Sequence, residues 1–103
     1  MDGDFQNDEV IISSAGTAVE FVIGSGTDIS TKRYLPMQGR THVTKLVIRT
    51  SKAIQITEIN YKTPKVGIPV QADKSFTISD SMKISQFKIL TGEATTDLHV
   101  FVA

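Results

Sequence analysis

The 103-residue chain has no cysteine and no tryptophan, few tyrosines and prolines, and no net charge. Without cysteine there is no disulfide framework, no thiolate nucleophile and no zinc–thiolate centre. With no tryptophan, and tyrosine at positions 34 and 61 alone, the chain lacks the aromatic platforms that sugar-binding and single-strand-binding faces display. Eleven basic side chains cancel eleven acidic ones, which removes any global attraction to nucleic acid or to an anionic membrane. No apolar run approaches the roughly 18 residues of a membrane helix. The first ten residues are acidic, the reverse of the basic start of a secretory signal. These absences leave a soluble, neutral chain of a length that suits one domain.

What is abundant is β-branched. Twelve Ile, nine Val and twelve Thr stand against four Leu and six Ala. Such side chains lose rotamer freedom in a helix and pack well on a pleated surface. No window carries a sustained helical stripe, so the chain is expected to be all-β: a single small β-sandwich, jelly-roll-like or Ig-like, with about eight short strands and no long helix. Glu9 to Ser13 and Thr17 to Ile23 read as strands joined by a tight hairpin at Ser14-Ala15-Gly16. Further strands are expected over Thr31 to Leu35 (ended by Pro36), His42 to Arg49, Ala53 to Tyr61, around Phe76 and Ile78, over Lys83 to Leu90, and over Asp97 to Val102. The segment carrying Pro64, Gly67 and Pro69 reads as punctuation.

One six-residue pattern occurs three times, at Val43 to Ile48, Ile56 to Tyr61 and Ile84 to Ile89. Each reads apolar, hydroxyl, long polar, apolar, any, apolar. The apolar spacing of three and then two breaks strict alternation once, as a β-bulge does. The pattern predicts one strand shape used repeatedly.

Chemistry is sparse. His42 and His99 are the two imidazoles. Asp97 beside His99 suggests a hydrolytic pair, but no nucleophile-elbow sequence accompanies it, and sheet-edge histidines account for both. Asp2, Asp4, Asp8 and Glu9 form an acidic cluster without the ligand spacing of a calcium loop, and read as a solvated tail. Gly24-Ser25-Gly26 reads as a turn rather than a phosphate cradle, since no helix follows it. No catalytic residue, cofactor or metal is assigned.

The neutral total hides an asymmetry. Residues 31 to 65 carry eight bases against Glu58 alone, while the first ten carry four acids and no base. An acidic arm, residues 1 to 8, is therefore expected ahead of a domain over residues 9 to 103. Its contacts would be Asp2, Asp4, Phe5, Asp8 and Glu9, with Phe5 as apolar anchor. Arg33, Arg40, Arg49 and Lys52 would accept it, on the same copy or a neighbouring one, which implies a homo-oligomer.

The strands over residues 43 to 103, with the Thr91-Gly92 turn and the closing Leu98-His99-Val100-Phe101-Val102, resemble those of small β-sandwich structural proteins of tailed-bacteriophage virions. The resemblance implies a non-enzymatic subunit of capsid-decoration, cement or fibre type. It would be made in the host cytoplasm, located in the virion, and bound to other virion proteins of a symmetric capsid or tail lattice, with neither nucleic acid nor membrane as partner. The alternative is a receptor- or carbohydrate-binding module.

Overall fold

The computed structural model describes residues 6–13, 15–36, 40–59 and 67–103, with backbone alone at 6, 7 and 79–82. Of the expected arm residues, Asp2, Asp4 and Phe5 lie outside the described residues. Nine strands follow one another: β1 (Gln6–Ile12), β2 (Val19–Ile23), β3 (Lys32–Leu35), β4 (Val43–Thr50), β5 (Ile54–Ile59), β6 (Ile68–Val70), β7 (Ser75–Ile84), β8 (Gln86–Thr91) and β9 (Thr96–Val102). They form a four-stranded sheet A, in the order β1-β9-β4-β7, and a five-stranded sheet B, in the order β3-β2-β8-β5-β6.

The pairings are nested. β1 pairs with β9, β2 with β8, β4 with β7 and β5 with β6, all antiparallel. Successive pairs fall alternately in sheet A and sheet B, and β4–β9 and β5–β8 contacts complete each sheet. A long hairpin rolled in this way is a jelly roll. The all-β sandwich is as the β-branched composition requires, and the nesting selects the jelly roll from the two sandwich types considered. β3 lies outside the nest and runs parallel to β2 on the edge of sheet B.

Local corrections have physical causes. Ser14-Ala15-Gly16 does not close a hairpin, because β1 belongs to sheet A and β2 to sheet B, and the connection crosses between them. β1 begins at Gln6, so residues 6 to 8 are laddered to β9. β6 was hidden by its proline, which an edge strand tolerates because one side needs no N–H donor; Pro69 sits opposite Gln55. The expected strand over Lys83 to Leu90 is divided at Ser85, where the chain leaves sheet A for sheet B.

The recurring pattern is explained at its first and third sites and in the described part of the second. Register shifts fall between Val43 and Lys45 in β4, and between Ile56 and Glu58 in β5. The third copy straddles the change of sheet at Ser85. At all three the apolar positions that are described are fully buried: Val43, Leu46, Ile48; Ile56, Ile59; Ile84, Phe87, Ile89. The extra residue bends the strand around the core while keeping both apolar halves inward.

Between the sheets the core is apolar. Val10, Leu46, Ile48, Leu98, Val100 and Val102 from sheet A meet Phe21, Ile23, Ile54, Ile56, Phe87 and Ile89 from sheet B. Phe21 and Phe87 are direct cross-strand partners and stack with centroids 5.0 Å apart. Among the described residues the buried polar side chains are three threonines, 50, 91 and 96. The Thr91 and Thr96 hydroxyls lie 2.6 Å apart, and both reach the Glu93 carbonyl, at 2.9 and 2.7 Å. This closes the β8–β9 turn. Thr91→Val keeps the shape and removes the hydroxyl, so it is expected to destabilise the fold by about 1–3 kcal/mol in urea titration.

Candidate functional site

Among the described residues the interior is lined by aliphatic side chains, two stacked rings and satisfied threonines and offers no group to a polar ligand, so the chemistry the described residues carry lies on the outer faces. They differ. On sheet B, Lys32, Glu20, Lys88 and Glu58 form one row of cross-strand neighbours, one from each of four strands. Their charges alternate along the row, and Lys88 pairs with Glu58 at 3.5 Å. That face neutralises itself and needs no partner.

Sheet A is not balanced in this way. β9 alternates between buried Leu98, Val100 and Val102 and partly exposed Asp97, His99 and Phe101, so the latter three share its outer face. Register then fixes their neighbours. Glu9 of β1 lies opposite His99 on one side, and Arg49 of β4 lies opposite it on the other. Asp97 faces Ile11 of β1, while its backbone N–H donates to Ser51 Oγ at 2.9 Å.

The result is a convergence of three ligand-type side chains. The nearest donor atoms of Glu9, Asp97 and His99 all lie within 4.8 Å of one another. His99 Nε2 is 3.9 Å from Glu9 Oε2, and both side chains are about half exposed, at 44 and 53 %. Asp97 Oδ1 is different: it is shut off from solvent and has no hydrogen-bond donor among the described residues. A carboxylate oxygen in that position is destabilising unless a cation or donor reaches it. Asp97 and His99, but not Glu9, also line an open depression of about 320 Å³, together with Arg49, Ser51, Asp73 and Phe101. Asp73 is brought to its rim by a turn before β7, where it adopts φ 63° and donates its N–H to the Thr50 carbonyl at 2.8 Å.

The residues expected from charge are distributed more widely. Arg33 lies opposite buried Phe21 on edge strand β3, and its guanidinium reaches across to the Ile11 carbonyl of β1 at 3.5 Å. Thus β1 and Arg33 meet within one chain, through a carbonyl. Arg40 lies in the connection before β4, and Lys52 follows β4, with its N–H directed at Thr50 Oγ1. Arg49 and Glu9 reach the candidate site. Asp8 lies one position off that face, beside Tyr34 and Asp28 at a second depression. There Tyr34 donates its N–H to Asp28 Oδ1 at 2.8 Å, Gly26 packs on the tyrosine ring with no room for a Cβ, and Lys32 stands 5.6 Å from the ring centroid. Tyr61 lies outside the described residues.

A hydrolytic triad does not form. Ser51, His99 and Asp97 line one depression, but Ser51 Oγ accepts from the Asp97 backbone and makes no hydrogen bond to His99. Asp97 Oδ1 likewise makes none to His99. The nucleophile–base–orienter chain that such chemistry requires is absent among the described residues.

No protein-family model and no curated protein matches the chain. Among solved structures, a match is the crystal structure of a cupin-2 domain containing protein from Shewanella frigidimarina NCIMB 400. It is 14% identical, the alignment covers 94% of this chain and 69% of that one, and the TM-score is 0.46. None of the comparisons supports the resemblance to bacteriophage virion proteins, and the capsid-decoration or fibre-type function and the virion location that it implied fall with it. The physical reason is visible in the fold. The pattern on which the resemblance rested is the signature of a bulged strand, and bulged strands are a shape that unrelated sandwiches share.

Proposed function

We propose that this chain is a binding domain for a divalent metal ion, held on the outer face of sheet A by Glu9, Asp97 and His99. The observation that carries the reading is their convergence within 4.8 Å, drawn from the two ends of the chain by the β1–β9 ladder. Asp97 Oδ1 supports it, because a cation supplies the interaction that no donor among the described residues provides. One imidazole nitrogen and two carboxylate oxygens make a mixed set that suits zinc at bond lengths of about 2.0–2.2 Å. Exposed Glu9 is free to swing inward to reach such distances. The reading does not involve a serine nucleophile, since Ser51 is not aligned on His99.

The test is calorimetric titration of tag-free protein with zinc, beside its thermal midpoint. One saturable site per chain is expected. At a free zinc concentration about 100 times Kd the native state gains about 2.7 kcal/mol, a rise of about 10–20 °C. Asp97→Asn retains the shape of the side chain and removes its charge, and is expected to weaken zinc binding by about tenfold or more. Absence of zinc binding in the wild type, or equal affinity in the variant, would rule the site out.

A further inference from the structure

We infer that zinc at this site is a clasp: it fastens the edge strand β1 to β9, and without it β1 opens while the rest of the sandwich stays folded. This rests on the metal reading above and adds what occupation of the site controls. The three ligands are divided between two strands. Glu9 alone comes from β1, whereas Asp97 and His99 both belong to β9. A metal held by all three therefore exists only while β1 is docked.

The protein's own fastenings of β1 are few. It lies at the edge of sheet A and pairs there with β9 alone among the described residues. Of its described side chains, Val10 and Ile12 are the ones buried in the core. β9, by comparison, buries Leu98, Val100 and Val102 and is laddered on its other side to β4. Across the seam to sheet B, Arg33 reaches the Ile11 carbonyl at 3.5 Å, longer than the usual hydrogen bond. Arg33 Nε is shut off from solvent with no acceptor among the described residues. Opening of β1 gives that group water, which makes opening easier.

The opening has a defined end. Gly16, at φ 82°, donates its N–H to the Thr91 carbonyl of β8 at 2.9 Å and so fixes the connection to sheet B ahead of β2. Beyond it β2 is laddered to both β8 and β3. When β1 leaves, β9 keeps its place in sheet A through β4, and β4 through β7. Edge segments with few buried contacts open in this way more readily than the whole fold does. Asp97 and His99 stay behind on β9 as a weaker pair of ligands. Zinc thus favours the docked strand by the difference between the two affinities.

The experiment is amide hydrogen exchange of the full chain, followed by NMR, without and with zinc and on Glu9→Gln. In metal-free protein the β1 amides are expected to be at least tenfold less protected than those of the central strands β4 and β8. Zinc at about 100 times Kd is expected to slow β1 exchange by tenfold or more, toward a limit of about 100-fold. In Glu9→Gln zinc is expected to leave β1 exchange unchanged, because the strand no longer carries a ligand. Equal protection of β1 and the central strands without zinc would show that β1 leaves only when the whole domain unfolds, and would overturn the clasp. Zinc binding that leaves wild-type β1 exchange unchanged would overturn it as well, and both results leave the metal site standing. Slowing that persists in Glu9→Gln would also overturn it. Failure of zinc to bind in the calorimetric titration would remove both readings.

Discussion

His99→Ala is expected to reduce zinc affinity by more than the 10–100-fold that loss of a merely supporting residue produces. His99 supplies the one nitrogen among the three converging side chains, and its removal leaves two carboxylates, a set suited to harder cations. The weak site that remains should discriminate little between zinc and magnesium, so the selectivity collapses together with the affinity. The fold itself should be indifferent. His99 lies on the outer face of β9 with its side chain 44 % exposed, and substitutions at such positions usually change stability by less than about 0.5 kcal/mol. Calorimetry with the two metals, beside urea unfolding of the metal-free variant, reads both quantities. Unchanged zinc affinity would mean that the imidazole is not a ligand.

The second large effect lies in the core. Phe87→Ala is expected to destabilise the domain by about 3–5 kcal/mol, a major share of the roughly 5–15 kcal/mol by which domains are stable. The ring is fully buried, stacks on Phe21 at 5.0 Å, and sits where β8 has just left the change of sheet at Ser85. Phe21→Ala should cost about as much by the same mechanism. The double variant should fall short of the sum by about 0.5–1.5 kcal/mol, since the stacking is lost only once. Denaturant titration of the four proteins measures this, and strict additivity would show that the stacked geometry contributes nothing beyond burial.

The sandwich was legible because β-branched composition and alternating strands follow directly from pleated, half-buried surfaces. The bulges in β4 and β5 were legible too, since an inserted residue leaves a spacing of three in a pattern of two. Pro69 concealed β6, and the crossing from β1 to β2 was invisible because a turn sequence does not say to which sheet the next strand belongs. The candidate site was legible only in pieces. In the sequence Glu9 belongs to an acidic arm, Asp97 and His99 suggest a hydrolytic pair without a nucleophile elbow, and Arg49 is a cation that could accept that arm. Nothing local joins them, because their meeting depends on β1 pairing with β9 at the register Glu9 to His99, a contact between the two ends of the chain. The acidic start of the sequence was itself a signal, since it marked an unbalanced charge next to the strand that carries Glu9.

That outer face of sheet A is the binding surface is the central claim, and backbone and imidazole NMR spectra recorded through a zinc titration test it most directly. The expected result is a saturable shift of the His99 ring resonances, with amide shifts concentrated at Glu9, at Asp97 to His99 and at the neighbouring Arg49 and Ser51. Shifts that fall instead around Asp28 and Tyr34 at the second depression, or spectra that zinc leaves unchanged, would contradict it.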